Sequence, residues 1–282
     1  MTLVIRSVDE VRRFISERRS QGKTVGLVPT MGYLHRGHMS LVERCLEEND
    51  VTVVSLFVNP IQFGPGEDLD RYPRDEERDL SLLQDAGVDV LFAPEADEMY
   101  RPSHSTYVDE AAISFPLCGG SRPGHFRGVC TVVLKLFNVL LPDRAYFGMK
   151  DYQQLQVINR MVRDLNVPVE VRPCPIVREA DGLALSSRNV YLSEDERRSA
   201  LFLSKSLSAA KDAFDGGERS AFALADLVWS VLAEGEGLTP EYVEVRDAAD
   251  LSEVADITGP VVVALAVRAG STRLIDNVVL GE

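Results

Sequence analysis

Only four histidines occur in the 282 residues, and two of them, His35 and His38, stand three apart in the segment Pro29-Thr30-Met31-Gly32-Tyr33-Leu34-His35-Arg36-Gly37-His38. Residues at that spacing share one side of a first helical turn, so both imidazoles could donate to the same phosphate chain. The segment follows the apolar run Val25-Gly26-Leu27-Val28-Pro29 and precedes a helical stretch. A strand-to-helix turn aims backbone N–H groups and the positive end of the helix dipole outward, which suits an anion. Gly32 and Gly37 would let a phosphate approach the main chain closely. The alternative is that the two histidines simply cap the helix. Neither GxGxxG nor GxxxxGK[ST] follows a strand, so the usual nucleotide loops are missing. His104 and His125 receive no catalytic assignment.

The elements that must hold this segment are legible from periodicity. Ser7 with Glu10 has the capping-box pattern, and Val8, Val11 and Ile15 then repeat at helical spacing, predicting a helix that opens the chain. The buried run Val25 to Pro29, a helix from about Met39 to Glu48 and the β-branched run Val51 to Val58 form a βαβ unit. The alternation continues through a helix near Arg74 to Ala86, a strand Val88 to Phe92, a helix near Thr131 to Leu140 and a strand Ala145 to Phe147. A helix Asp151 to Asp164 and a strand Val167 to Val171 complete it. Strands alternating with helices predict an α/β fold: a doubly wound, Rossmann-like parallel sheet with its ligand at the carboxyl ends of the strands. Beyond Pro175 the pattern changes to two helices, near Glu194 to Phe214 and Glu218 to Ala233. Strand-like runs follow at Glu241 to Val245, Val261 to Val267 and Thr272 to Val279. We therefore expect a Rossmann-like, ligand-binding domain over residues 1–176 and a smaller α+β domain over 177–282. Phe14, Phe137 and Trp229 are expected in the core.

Composition narrows the function. A hydrophobic fraction of 45% and a charged fraction of 26% belong to a folded globular chain. A net charge of −14 argues against a nucleic-acid surface, which needs clustered Lys and Arg. The amino terminus carries Arg6, Asp9 and Glu10 and lacks the apolar core of a signal peptide, and the run Val261 to Val267 is too short to span a bilayer. These features predict a cytoplasmic protein with no membrane partner. Cys45, Cys118, Cys130 and Cys174 are widely spaced with no CxxC pair and read as reduced core thiols.

Four further blocks follow the histidine segment in order. They are Phe57-Val58-Asn59-Pro60-Ile61-Gln62-Phe63, Arg122-Pro123-Gly124-His125-Phe126, Phe147-Gly148-Met149-Lys150-Asp151-Tyr152-Gln153-Gln154-Leu155, and Val177-Arg178-Glu179-Ala180-Asp181-Gly182-Leu183-Ala184-Leu185-Ser186-Ser187-Arg188-Asn189. HxGH after the first buried strand resembles the nucleotidylyltransferase superfamily. The set of blocks, spanning about residues 25 to 192, is similar to the pantothenate synthetase family within it.

The resemblance implies an ATP-dependent ligase that adenylates pantoate and then joins it to β-alanine. His35 and His38 would bind the ATP phosphates and steady the transition state, with His38 the residue the family treats as catalytic. Lys150 and Arg188 would be the other catalytic cations. Met31, Gly32, Gly37, Gly148, Asp151, Val177, Leu185, Ser186 and Ser187 would frame the nucleotide, with Asp151 at the ribose and Leu185 to Arg188 as a mobile loop over the phosphates. Gln62 and Gln154 would hold pantoate, Asn59 and Arg122 would shape its pocket, and Met31 would pack on its apolar part. By themselves the two glutamines read as surface or strand-end amides, and Ser186-Ser187-Arg188 as a turn. Mg2+ would accompany ATP with no protein metal ligand assigned, and the family suggests a homodimer. Met149 and Leu185 depart from the family's usual Glu or Gln and Met. Two other readings stand beside this one: a related nucleotidylyltransferase acting on another small acid or phosphate, and a nucleotide-binding regulatory module without turnover.

Overall fold

The computed structural model describes residues 1–281. The chain forms two compact units. The first comprises residues 1–110, 122–149 and 157–175, and the second residues 111–121, 150–156 and 176–282.

In chain order the elements up to residue 175 are β1 (Leu3–Ile5), α1 (Val8–Ser20), β2 (Val25–Thr30), α2 (Arg36–Glu48), β3 (Val51–Leu56), α3 (Glu76–Ala86), β4 (Val90–Phe92), α4 (Ala96–Met99), α5 (Cys118–Ser121), α6 (His125–Leu140), β5 (Arg144–Gly148), α7 (Tyr152–Asp164) and β6 (Glu170–Cys174). Six strands make one sheet in the order β1-β4-β3-β2-β5-β6, and all its pairings are parallel. The expected doubly wound architecture is therefore present. Parallel strands buried on both faces are predominantly apolar, and β3, Val51-Thr52-Val53-Val54-Ser55-Leu56, has five of its six residues buried, among them only two small hydroxyl residues, Thr52 and Ser55. On one face Val28, Leu34, Val42, Cys45, Val54, Leu83, Leu91 and Tyr146 form a continuous cluster. The chain runs from β2 out to β3 and β4, then returns to the other side of β2 for β5 and β6. The order of winding thus reverses beside β2, and a ligand crevice is expected at the carboxyl end of such a strand.

The second unit carries an antiparallel sheet, β7 (Leu238–Asp247), β8 (Val261–Ala269) and β9 (Thr272–Leu280), with α8 (Glu194–Asp215) and α9 (Ala221–Leu232). β8 is its central strand, pairing with β9 throughout and with β7 across an irregularity between Pro240 and Tyr242. Val261, Val263, Leu265 and Val267 pack there with Leu203, Leu207, Leu224 and Val228.

Several local expectations are corrected. A three-residue strand, β1, precedes the first helix and pairs with β4. Ser7 is the N-cap of α1 but its side chain makes no capping bond; instead Glu98 Oε1 accepts from Val8 N at 2.6 Å. α6 starts at His125, six residues before the apolar period becomes evident, and β6 lies three residues later than expected. Phe137 is core, whereas Trp229 is 40% exposed and Phe14 is half-buried beneath the Arg18 guanidinium. All four cysteines are buried and free.

Candidate active site

The turn between β2 and α2 is built around a carboxylate far away in sequence. Asp79 on α3, 1% exposed, accepts from Tyr33 N at 2.6 Å and Leu34 N at 2.7 Å. Burial pushes the Asp79 carboxyl above its ordinary value, and the two N–H donors oppose that shift. Gly32 and Tyr33 both have positive φ, 83° and 53°. A Cβ at Gly32 would come within 3.2 Å of Asp79 Oδ2, so the bend and the carboxylate require each other. Asp79→Ala would leave two turn N–H groups without their acceptor. We expect a loss of about 2–3 kcal/mol in stability, read by denaturant unfolding, together with weaker nucleotide binding.

At the start of α2 the histidines cap the helix in a reciprocal arrangement. His35 is the N-cap, and its Nδ1 accepts from Gly37 N at 3.1 Å; His38 Nδ1 accepts from His35 N at 3.3 Å. The rings lie 4.1 Å apart between centroids, tilted by 33°. A nitrogen that accepts a hydrogen bond carries its lone pair, so each imidazole is neutral with its proton on Nε2. Capping and phosphate donation are therefore compatible: Nδ1 faces the helix and Nε2–H is the donor. In this state the pair supplies hydrogen bonds, and the helix dipole supplies the positive field.

β3 ends at Leu56, and a 3-10 turn, Pro60–Gln62, follows. Asn59 is 1% and Gln62 8% exposed. Asn59 Nδ2 donates to Gly128 O at 3.1 Å and to Gln62 Oε1 at 3.0 Å. Gln62 Nε2 points to Met31 Sδ at 3.2 Å. Met31, Asn59 and Gln62 are thus brought into one bonded cluster. Its close packing depends on Gly128 in α6, where a Cβ would sit 2.6 Å from Gln62 Cα and from Ile61 O.

Arg122 reaches the same cluster by an unexpected route. Its Nε and Nη2 donate to the two oxygens of Glu67, each at 2.7 Å, and its Nη1 lies 3.0 Å from His125 Nε2. A guanidinium only donates, so His125 Nε2 accepts, and His125 Nδ1–H donates to Gln62 O at 2.9 Å. Arg122 therefore holds the Gln62 main chain through His125 and by its own Nη2, which donates to Gln62 O at 3.5 Å, with its charge matched by Glu67. Burial raises the Glu67 carboxyl, but its bonds to Arg122 outweigh that and leave it below the usual glutamate value of 4.5. Because the folded value lies below the unfolded one, the pair's stabilisation is present above about pH 4.5 and is lost as pH falls through the folded value. Thermal melts of Glu67→Gln against the parent should differ at pH 7 and converge in acid.

In the second unit Lys150 and Asp151 lie in a 3-10 turn after β5, and Gln154 lies in the first turn of α7. Asn277 Nδ2 on β9 donates to Lys150 O at 2.9 Å, and Tyr152 Oη donates to Ala248 O at 2.8 Å, tying this turn to the antiparallel sheet. Lys150 and Gln154 are half-buried and Asp151 is exposed. Val177 and Leu185 pair across a hairpin, with Leu185 N donating to Val177 O at 3.0 Å. Arg178 anchors the hairpin on buried Asp276 through bonds of 2.6 and 2.9 Å. Ser186 then caps the short 3-10 turn Ser187–Tyr191 by accepting from Arg188 N, and Ser187 is buried. Leu185 to Arg188 is thus a short span between two fixed points.

Asp79, Gly128 and His125 were not among the sequence candidates. The block Arg122 to Phe126 contains His125 and ends just before Gly128; nothing local marks Asp79.

A doubly wound parallel sheet flanked by helices, with a helix starting at HxGH beside its reversal point, is a Rossmann-like α/β fold. Within that class the comparisons are specific. A family profile described as pantoate-beta-alanine ligase matches residues 3–279. A pantothenate synthetase of Thermotoga neapolitana is 55% identical over 278 residues, 99% of each chain. The crystal structure of pantothenate synthetase from Thermus thermophilus aligns with TM-score 0.93 at 47% identity, covering 99% of both chains. A pantoate-beta-alanine ligase from Francisella tularensis, complexed with "Beta-gamma ATP" and β-alanine, aligns with TM-score 0.80 at 32% identity, covering 99% of this chain and 97% of that one. The chain belongs to the pantoate-beta-alanine ligase family and is a ligase.

Proposed function

We propose that this ligase condenses D-pantoate with β-alanine at the expense of ATP, through an enzyme-bound pantoyl adenylate, in the route to pantothenate and coenzyme A. The observation that carries the reading is the pair of histidines at the start of α2, at the reversal point of the sheet, whose Nδ1 atoms accept from the main chain and so leave Nε2 as the donor atom of each ring. Such donors answer the need of adenylation, in which a carboxylate attacks the α-phosphorus in line and charge grows on departing pyrophosphate.

His38 and His35, with Lys150 and Arg188, stabilise that charge. Met31, Gly32, Gly37, Gly148, Asp151, Val177 and Leu185 to Ser187 frame the nucleotide. A Cβ added at Gly148 would meet no protein atom within 4 Å, and its φ is not positive, so neither packing nor backbone demands glycine there. Room for a nucleotide does. Gln62 and Gln154 hold pantoate, with Asn59 and Met31 behind Gln62 and Arg122 fixing its main chain. The donors at these positions suit phosphate oxygens, and among the described residues no group of three or more His, Cys, Asp and Glu gathers as a metal set. Mg2+ held by the triphosphate oxygens would neutralise part of their charge.

In the second step the β-alanine amine attacks the acyl carbon, the acyl–phosphate bond breaks and AMP leaves. A closed loop over the labile adenylate keeps water out. Among the described residues no helix is long and apolar enough to cross a membrane, in keeping with a cytoplasmic enzyme on small-molecule substrates, which we expect to act as a homodimer.

The test follows pyrophosphate, AMP and acyl product with ATP, Mg2+ and D-pantoate, with and without β-alanine. Pantoate-dependent pyrophosphate, with AMP and pantothenate released only when β-alanine is added, is the expected result. Nucleotide binding without pantoate-dependent pyrophosphate would reject this reading in favour of another acceptor acid or a non-catalytic module.

A further inference from the structure

Behind the proposed pantoate pocket a row of hydrogen bonds leads to a phenol that the reaction itself does not need. Tyr100, in the segment after α4, donates through Oη to Asn59 Oδ1 at 2.8 Å. Asn59 Nδ2 donates both its protons, one to Gly128 O and one to Gln62 Oε1. The orientation of the row is fixed by its one member with no choice. Gly128 O is a main-chain carbonyl and only accepts, so the nitrogen of the Asn59 amide must face it. The Asn59 oxygen must then face Tyr100, and the phenol must donate. Because Asn59 gives its second proton to Gln62 Oε1, the Gln62 oxygen is occupied and its Nε2 is the end directed toward Met31 Sδ.

Resting on the ligase reading above, we propose that Tyr100 is a positioning residue that locks the Gln62 amide with its NH2 toward the substrate, so that this wall of the pocket accepts only an oxygen acceptor, a hydroxyl or carboxylate. Tyr100 is itself well suited to hold one orientation. Burial raises its phenol above the ordinary range, so it remains a protonated donor at working pH. Its ring packs at 6.0 Å from Phe57 and 5.0 Å from His104, and the Lys135 ammonium lies 5.4 Å from its centroid. Phe57 ends the approach to the Asn59 turn, so the phenol and the amide it orients are supported by the same segment.

Without the phenol proton, Asn59 Oδ1 is left buried with no donor, and of the two groups that oppose rotation of the Asn59 amide only the Gly128 carbonyl remains. If Asn59 turned, its oxygen would face Gly128 O and Gln62 Oε1, and Gln62 would have to turn its own oxygen toward the substrate. The phenol hydroxyl and the Gly128 carbonyl, at the two ends of the Asn59 amide, thus hold the donor character of the pocket wall together.

Tyr100→Phe keeps the ring and removes the proton. We expect it to raise KM for pantoate about tenfold while kcat and KM for ATP stay within about twofold. On an Asn59→Ala background the same change should add little, because the link is already cut. In the substrate-free protein, 15N-edited NMR should show the Gln62 and Asn59 side-chain amide protons shifted and exchanging faster in Tyr100→Phe, with the Tyr152 and Asn277 region unchanged. An unchanged pantoate KM with unchanged amide signals overturns the proposal, as does an equal rise in KM for ATP, which would mark general loosening. If the parent enzyme turns over no pantoate yet the amide signals respond to Tyr100→Phe, the ligase reading fails and the orienting row stands.

Discussion

His38→Ala is expected to slow pantoate-dependent pyrophosphate release by about a hundredfold or more, because it removes one well-placed donor from the developing charge. The same change also removes the acceptor for His35 N, so a capping loss of about 1 kcal/mol in stability should accompany it. The two effects can be separated with His38→Asn. A carboxamide oxygen can accept from His35 N as Nδ1 does, while its NH2 falls short of the reach of Nε2. Asparagine should therefore restore most of the melting temperature and little of the rate. Single-turnover pyrophosphate release with saturating ATP reads the chemical step directly. A His38→Ala enzyme within a few-fold of the parent would remove the imidazole from the mechanism and leave it a cap alone.

Gly128→Ala should have the second largest effect, and for a different reason. The added methyl would sit 2.6 Å from Gln62 Cα and Ile61 O and 2.7 Å from Gln62 N, all of them main-chain atoms that cannot swing aside. Either α6 moves away or the turn Pro60–Gln62 shifts. Overpacking of this kind costs about 1–3 kcal/mol in stability. It also displaces both ends of the bond that Asn59 makes to Gly128 O. We expect KM for pantoate to rise by well over tenfold, with KM for ATP much less affected. Pantoate titrations and thermal melts on one preparation test both parts. A variant with parental pantoate affinity would show that the approach of α6 to the turn is not what seats Gln62.

The parallel sheet was readable because its strands are nearly uniform apolar runs separated by helical periods, and the strand-to-helix histidines were readable because two rare residues shared one short segment. Other features had no such signal. β1 is three residues long, too short to show a period, and pairs with a strand 87 positions away. The Ser7 box was the correct local signal for an N-cap, yet Glu98 supplied the acceptor from α4, and tertiary context overrode it. Trp229 lies on a helix whose inner positions are filled by Leu224, Val228 and Leu232, which leaves the indole 40% exposed.

For the site, the residue types of the second unit were visible as blocks, but their supports were not. Asp79 holds the turn before His35 from 45 positions downstream of Leu34. Arg122 was expected to shape the pocket, and the letters did not show its partners: it reaches the Gln62 carbonyl both directly and through His125, with Glu67 engaging its charge. A single chain of letters shows which groups are present. It does not show which of them are already committed to one another.

The bond from Asn277 to Lys150 O sets an order of assembly. Lys150 is made barely past the middle of the chain, but the amide that holds its carbonyl lies on β9, which pairs only with β8. On the ribosome, the parallel sheet and its histidine helix have all their sequence available long before β9 emerges. The lysine turn, tied also by Tyr152 to Ala248, gains its tie to Asn277 only after the last hairpin has closed, so a nascent chain can form the His35–His38 helix start early and still lack the full support of Lys150 until synthesis is nearly over.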